Sequence, residues 1–217
     1  MMIKIIGNKS SIFNQFMLEV RNVKIQKDRM RFRKNLERMG EIFAYEISRA
    51  LPTTRKNVET PLGSVELDIP TSEIVLATIL RAGLPLHQGM LNLFDKAENA
   101  FVSAYRKYDR DNSFEVKIEY ISSPSLDNKT LIISDPMLAT GASMHLVYRS
   151  LIENGIPEHT HIAAIIASRE GIEYIRKYFS KKDVTIWVGA IDDELTVKSY
   201  IVPGLGDAGD LAYGCKV

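Results

Sequence analysis

The sequence predicts an α/β protein whose mostly parallel, twisted sheet is flanked by helices and preceded by an N-terminal helix and a small β arm. Short apolar runs of strand length recur from residue 74 onward, and helical stretches separate several of them. Strands that alternate with helices form parallel sheets covered on both faces, and ligands bind such sheets beyond the carboxyl ends of the strands. The order of the elements therefore also predicts where a site lies.

The first part of the chain predicts one long helix followed by an exposed arm. Residues 28–51 repeat apolar side chains at helical spacing, with Arg and Glu on the other face. Pro52 ends this helix. Residues 62–69 alternate between apolar and polar side chains, which is typical of a half-exposed strand. We expect this strand to pair with neighbouring residues as a small antiparallel arm.

The remainder predicts the core sheet. Buried strands are expected over residues 74–80, 100–105, 130–134, 161–167 and 184–190. Helices are expected over residues 84–96, 143–154 and 170–179. Since no repeat, low-complexity tract or linker divides the chain, we expect one domain over residues 1–217. The helix and arm occupy residues 1–70 of it, and the core sheet and a C-terminal binding loop occupy residues 71–217.

Composition narrows the classes of function. The 217 residues are 45% hydrophobic and 25% charged, as in ordinary globular domains. A net charge of +1 argues against a surface that wraps nucleic acid, so we expect no nucleic-acid partner. The single cysteine, Cys215, excludes an intramolecular disulfide and fits a reducing compartment, which predicts a cytoplasmic protein. Without a signal peptide or a membrane-length apolar run, we also expect no membrane association.

The most informative segment joins the strand at residues 130–134 to the helix that follows it. Its backbone N–H groups over residues 139–143 lie at a helix start, where they have no intrahelical acceptor and where the helix dipole adds positive charge. Thr140 and Ser143 add hydroxyl donors, and Gly141 lets the main chain approach a phosphate closely. Asp135 suits sugar hydroxyls or a cation. The segment predicts a phosphate cradle, which we call the phosphate loop (residues 135–143).

This loop resembles the phosphoribosyl-pyrophosphate (PRPP) loop of type I phosphoribosyltransferases, and its Asp-Pro-Met form resembles uracil phosphoribosyltransferases in particular. Most other members have two adjacent acids where this chain has Ser134 and Asp135. The resemblance implies that PRPP is bound by Asp135, Pro136, Met137, Leu138, Ala139, Thr140, Gly141, Ala142 and Ser143. A strand-end turn with a helix N-cap remains the structural alternative for so short a motif.

Two basic segments complete the implied PRPP site. Arg81, Ala82 and Gly83 follow the strand at residues 74–80, where a guanidinium fork and two small residues suit a phosphate anion. By resemblance these three residues and Arg106 bind the diphosphate. Lys107 and Arg110 belong to the same charged run as Arg106, and such runs are also typical of solvated hairpin tips.

The segment at residues 200–210 contains a Gly-x-Gly-x-x-Gly pattern but does not predict a dinucleotide site. That fingerprint must open a helix inside a strand-helix-strand unit, and no such unit follows here. The segment instead resembles the uracil loop of the family, and we call residues 201–208 the base loop. The resemblance implies that Ile201, Gly206, Asp207 and Ala208 line the base, with Asp207 also near the ribose or diphosphate. Leu211 departs from relatives, which usually have Lys or Arg there, and leaves an outer electrostatic contact open.

The four segments in this order imply an enzyme that converts uracil and PRPP to UMP and diphosphate. By resemblance, the catalytic residues are Arg81, Arg106, Asp135 and Asp207. A Mg²⁺ ion is expected to bind through PRPP rather than at a metal site of the protein's own. Relatives form dimers or larger assemblies, so a homodimer or homotetramer is expected. Two alternatives stay open: a phosphoribosyltransferase for another nucleobase, and a non-catalytic RNA-binding regulator that senses PRPP or UMP.

Overall fold

The computed structural model describes residues 1–108, 114–179 and 182–216, without the side chains of residues 105–108 and 114–116. Within these ranges the strands are β1 (Met2–Ile5), β2 (Thr53–Thr60), β3 (Gly63–Pro70), β4 (Ile74–Leu80), β5 (Glu98–Tyr108), β6 (Phe114–Ser122), β7 (Thr130–Ser134), β8 (Met137–Leu138), β9 (His159–Ser168), β10 (Val184–Asp192), β11 (Glu194–Leu195) and β12 (Ile201–Val202). The α-helices of the same ranges are α1 (Ile12–Arg21), α2 (Arg29–Ser48), α3 (Leu84–Leu93), α4 (Ala142–Leu151), α5 (Arg169–Tyr178) and α6 (Ala208–Tyr213).

The central sheet has the strand order β1-β10-β9-β7-β4-β5-β6, with β8 paired to β9. All of these strands pair in parallel except β6, which runs antiparallel to β5. The chain passes from β4 to β5 on one side and then returns to β7 on the other side of β4. The topological switch point therefore lies between β4 and β7, directly before Arg81 and Asp135. The predicted fold class, a mostly parallel sheet flanked by helices, is confirmed.

Successive side chains of the buried strands enter two hydrophobic layers on opposite faces of the sheet. In β4, Leu76 packs in the layer formed with α1, α2, α3 and α6. Its neighbours Val75 and Ala77 pack in the layer formed with α4 and α5. This alternation is the two-residue period of a strand, and it explains why the core strands read as continuous apolar runs.

Two glycines allow α3 to pack directly on α2. A Cβ on Gly89 would lie 1.8 Å from the carbonyl oxygen of Glu37, and one on Gly40 would lie 2.3 Å from that of Leu86. Because any side chain at these positions would meet backbone, the two helices approach closely only with glycine there. The contact fixes α3, whose N-cap is Gly83 in the turn that carries Arg81.

The β arm consists of β2 and β3, an antiparallel pair whose residues are all exposed. The strand predicted at residues 62–69 and its antiparallel pairing are confirmed, but the strand is exposed on both faces rather than half-exposed. Val65 and Leu67 leave 44% and 47% of their surface open to solvent. An isolated two-stranded hairpin is marginally stable in water.

The helix predicted over residues 28–51 corresponds to α2, with the Asp28 side chain accepting from the Arg31 N–H as its N-cap. The strands predicted at residues 74–80 and 130–134 have those bounds, and the other predicted core elements differ only at their ends. β1, α1 and β6 were not predicted. None of the helices in the described ranges combines the length and the apolar character that a membrane crossing requires.

Candidate active site

A cavity of about 420 Å³ opens at the carboxyl ends of β4 and β7, next to the switch point of the sheet. Three segments that lie far apart in the sequence meet there: the turn after β4, the phosphate loop and the base loop. The sequence-predicted site residues that line the cavity are Arg81, Ala82, Asp135, Met137, Leu138, Ala139, Thr140, Gly141, Ser143, Gly206, Asp207 and Ala208.

The phosphate loop ends in a helix start, as predicted. Gly141 is the N-cap of α4 and has a left-handed backbone with φ +80°, which favours glycine. The first helical hydrogen bond runs from the His145 N–H to the Gly141 carbonyl, at 3.0 Å. The N–H groups of the first turn, including that of Ser143, therefore have no acceptor within the helix. Such a turn offers donors and positive potential to an anion in the cavity.

The phosphate loop is supported from behind by the start of α5. The Ser168 hydroxyl donates to the Ala139 carbonyl and accepts from the Gly171 N–H at 2.8 Å. A Cβ on Gly171 would lie 2.3 Å from the same Ala139 oxygen, so the helix start and the loop are in direct backbone contact. At the other end of the loop, Asp135 Oδ1 accepts from the Met137 N–H at 3.2 Å. Both ends of the loop are held by polar contacts of its immediate neighbours.

Arg81 connects the turn after β4 to the C-terminal segment. Its Nη2 donates to Asp210 Oδ1 at 3.1 Å and to the Gly214 carbonyl at 3.0 Å. Its Nε is buried and has no hydrogen-bond partner among the described residues. The peptide bond between Leu80 and Arg81 is cis. The guanidinium is thus anchored at one edge by the C-terminal segment and keeps a donor for a further ligand.

The base loop forms a tight turn at the far side of the cavity. Gly204 has φ +56°, and a Cβ there would lie 2.1 Å from the Ile201 carbonyl oxygen. Gly206 also has a left-handed backbone, with φ +96°. After the turn, Asp207 Oδ1 accepts from the Asp210 N–H at 3.0 Å and caps α6. Gly206, Asp207 and Ala208 line the cavity after this turn, and Gly206, which has no side chain, contributes main-chain atoms.

Four of the predicted site residues lie close to the cavity without lining it: Gly83, Pro136, Ala142 and Ile201. Gly83 packs between the ends of β4 and β7, where a Cβ would lie 2.1 Å from Thr78 Oγ1. Ile201 is 4% exposed and belongs to the core beneath the base loop. These residues lie behind the cavity wall, where they support the loops without facing the cavity.

Three candidate residues of the charged run that begins in β5 have side chains that the structure does not describe. Arg106 and Lys107 belong to β5, but their side chains are not among those described. Arg110 lies outside the described residues altogether. The predicted contact of Arg106 with the diphosphate stays a prediction.

The structure adds residues that the sequence did not indicate. Lys216, Tyr200 and Ser199 line the cavity, and Asp210 reaches it through Arg81. Lys216 contributes a cation from the C-terminal segment, which the Arg81 contact with Gly214 holds against the cavity. Tyr200 and Asp210 lie at the ends of the segment at residues 200–210 but were given no role, and no motif marks Ser199 or Lys216.

Comparisons with known proteins agree with this geometry. A family model described as uracil phosphoribosyltransferase matches residues 8–215. The chain is 56% identical over 212 residues to the uracil phosphoribosyltransferase of Porphyromonas gingivalis (strain W83), covering 98% of each chain. It is 38% identical over 190 residues to that of Pyrococcus furiosus, covering 86% of this chain and 80% of the relative. The solved structure of the AQ2163 protein from Aquifex aeolicus superposes over 100% of both chains with a TM-score of 0.86, at 32% identity. The chain therefore belongs to the uracil phosphoribosyltransferase family.

Proposed function

We propose that this protein transfers the phosphoribosyl group of PRPP to uracil, which forms UMP and releases diphosphate. One observation carries the proposal: the phosphate loop, the Arg81 turn and the base loop line a single cavity at the switch point of the sheet. A transferase for two substrates requires such a cavity, because the reacting atoms must meet in one place. Membership of the family indicates the class of substrate, and the cavity offers one place in which the two substrates can meet.

In this proposal the phosphate loop and Arg81 hold PRPP. The N–H groups at the start of α4 and the hydroxyls of Thr140 and Ser143 bind the 5′-phosphate. Arg81, which lines the cavity and is held at Nη2 by Asp210 and Gly214, offers the guanidinium donors that these contacts leave unused to the diphosphate. The carboxylate of Asp135, at the carboxyl end of β7, accepts from ribose hydroxyls. By family resemblance Arg106 adds a second guanidinium at the diphosphate.

Uracil is bound by the base loop through main-chain groups. The edge of uracil alternates carbonyl acceptors with N–H donors, and the backbone of residues 206–208 offers the complementary groups. Ile201 lies beneath the loop as part of the core and keeps it from collapsing. No charged side chain is needed to recognise this neutral base.

The transfer breaks the bond between ribose C1 and the diphosphate oxygen and forms a bond between C1 and uracil N1, while the N1–H bond breaks and its proton passes to solvent. The electron pair of the broken bond leaves with the diphosphate, where Arg81 and Arg106 stabilise its charge. Asp135 and Asp207 support positive charge at C1 while the bond is broken. Holding both substrates in line supplies much of the rate acceleration.

We propose that a magnesium ion enters the cavity together with PRPP and would be held there in part by Asp135 and Asp207. Asp135 and Asp207 provide carboxylate oxygens, which are the ligands that Mg²⁺ prefers. Among the described residues no group of three or more His, Cys, Asp or Glu side chains could hold a metal, so further ligands would come from PRPP and water. When bound, the ion would neutralise charge on the departing diphosphate.

We also propose that the whole chain, residues 1–217, acts as one domain in a cytoplasmic homodimer or homotetramer. The exposed apolar side chains of the β arm support this assembly, since Val58, Val65 and Leu67 need cover. Light scattering after gel filtration of the full chain measures the mass directly. A monomer at micromolar concentration would contradict the assembly.

The function is tested by incubating the purified protein with radiolabelled uracil, PRPP and MgCl₂ and separating the products. We expect labelled UMP, and no product from adenine, guanine or hypoxanthine under the same conditions. Transfer to one of those bases instead of uracil would favour the other-nucleobase alternative. No transfer to any base, together with retention of RNA on a filter, would contradict the enzymatic function.

A further inference from the structure

A buried charged cluster behind the base loop joins three distant parts of the chain. Arg21, the last residue of α1, binds Asp192 at the end of β10 with both guanidinium arms, at 2.8 and 2.9 Å. Arg21 Nη1 also donates to the Gly204 carbonyl at 3.1 Å, and Asp192 Oδ2 accepts from the Gly204 N–H at 2.9 Å. The backbone N–H and the carbonyl of Gly204, in the base loop, are thus both hydrogen-bonded to the same ion pair.

The movement of this cluster is restricted because the guanidinium and the carboxylate are hydrogen-bonded to each other and to Gly204. The Arg21 side chain is 23% exposed and that of Asp192 is 7% exposed, so the pair is shielded from solvent. Bidentate pairing of a guanidinium with a carboxylate fixes both angle and distance. Nearby, Gln26 reaches the Leu205 carbonyl at 2.7 Å when its amide is oriented with the nitrogen toward that oxygen. Two consecutive residues of the loop are therefore tied to the segment around the end of α1.

The cluster does not touch the cavity, which is lined by the next part of the loop. Gly204 is absent from the cavity wall, whereas Gly206, Asp207 and Ala208 form part of it. Gly204 is also where the loop turns, with φ +56° and its Cα packed against the Ile201 carbonyl. A shift at this turn moves the residues that follow it. We propose that Arg21 and Asp192 are positioning residues that set the base loop, and with it the fit of uracil, while the phosphate loop is independent of them.

The same helix offers a matched control. Glu19 is also in α1 and is buried, and Arg31 binds it with Nε and Nη2, both at 2.8 Å. This second bidentate pair has no hydrogen bond to the base loop among the described residues. Arg31→Lys therefore weakens an Arg-carboxylate pair of the same kind without releasing Gly204.

The experiment compares Arg21→Lys with Arg31→Lys in steady-state kinetics, PRPP calorimetry and thermal unfolding. Lysine keeps the charge but cannot bridge two carboxylate oxygens and a carbonyl at once. We expect Arg21→Lys to lower kcat/KM for uracil by between about 10- and 100-fold, since a misplacement of about 1 Å has an effect of this size. The Kd for PRPP stays at the parental value, and Arg31→Lys changes neither constant. If the two variants lower Tm alike and share parental uracil kinetics, or if Arg21→Lys weakens PRPP as much as uracil, the positioning role is wrong.

The inference rests on the proposed function, so a readout without substrates separates the two. Hydrogen exchange of the peptide that covers residues 201–209 is expected to accelerate in Arg21→Lys and in Asp192→Asn, and to be unchanged in Arg31→Lys. Parental exchange in both loop variants would overturn the positioning role even if the enzyme is active. If the parent protein is inactive but the loop exchange responds as expected, the proposed function is wrong. The role of Arg21 and Asp192 in holding the base loop is then still supported.

Discussion

The phosphate loop and the base loop line the same cavity but are held in different ways. The phosphate loop is fixed by its own Asp135 turn, by the start of α4 and by Ser168 at the end of the neighbouring strand. The base loop is fixed at Gly204 by Arg21, which lies 183 positions earlier in the chain. Both loops were recognised from their own motifs, but the contacts that hold the base loop from a distance, those of Arg21 and Asp192, could not be read from sequence. We therefore expect a substitution within one loop to impair the binding of its own substrate and to leave the binding of the other substrate unchanged.

Arg81 lines the cavity between the two loops, and we expect the largest effect there. Its Nη2 donates to Asp210 and Gly214, beyond the base loop, and the rest of its guanidinium is proposed to bind the diphosphate. Arg81→Ala is expected to lower kcat for UMP formation by about 100-fold or more, as loss of a group that stabilises developing charge does.

Arg33→Ala is the control for that variant. Arg33 also donates to a carbonyl of the C-terminal segment, that of Ala212, but it does not line the cavity. We expect parental kcat from it. Turnover of Arg81→Ala close to that of Arg33→Ala would remove Arg81 from the mechanism.

Gly141→Ala tests the phosphate loop alone. The new Cβ would meet the Gly171 carbonyl at 3.0 Å and the Tyr174 ring at 3.1 Å, in a backbone with φ +80°. Strain of ~1–2 kcal/mol from the left-handed backbone, with these contacts added, predicts PRPP binding weakened by more than about tenfold. Gly63→Ala at the tip of the β arm, where a Cβ meets nothing within 4 Å, is the control. Calorimetry with PRPP measures both, and equal affinities would contradict the cradle.

Gly206→Ala tests the base loop alone and is expected to have a smaller effect. Its φ of +96° disfavours alanine, but the nearest atom to a Cβ would be Leu211 Cδ1 at 3.9 Å. Backbone strain without a clash predicts a rise of about tenfold or less in KM for uracil. The Kd for PRPP is expected to stay at the parental value. A variant that loses PRPP and keeps uracil would reverse the assignment of the two loops.

Acid is expected to destabilise the fold through a histidine at the end of the sheet opposite the two loops. His161, near the start of β9, is 3% exposed, and its Nδ1 accepts from Trp187 Nε1 at 3.1 Å. Burial, with the charges of His159 and Lys4, lowers the pKa of His161 from 6.5 to about 3. The unfolded chain therefore binds this proton first, so the contribution is complete above pH 6.5 and is lost as pH falls toward 3.

This group alone lowers the free energy of unfolding by up to about 1.4 kcal/mol for each pH unit in that window. Thermal unfolding of His161→Gln, which keeps an acceptor for Trp187 and does not titrate, is expected to depend less on pH between 6.5 and 4. A slope equal to that of the parent would contradict the assignment.

The elements that were predicted from sequence are those whose pattern is visible within a short run of neighbouring residues. β4 and β7 are buried on both faces, so their apolar runs mark their bounds directly. Helix α1 was not predicted, although Phe13, Phe16, Met17 and Val20 recur at helical spacing on the face that packs against the core. β1 has four residues, and β6 pairs only at the sheet edge. The same difference explains the site: the motif residues were predicted, and Arg21, Asp192, Asp210 and Lys216 were not.

The central claim is that the phosphate loop and the base loop hold the two ends of one nucleotide. A crystal structure of the protein with UMP tests it most directly. We predict the phosphate against the N–H groups of residues 140–143 and the uracil ring against the main chain of residues 206–208. A UMP molecule bound with either end outside the cavity, or with the ring on the phosphate loop, would contradict the account.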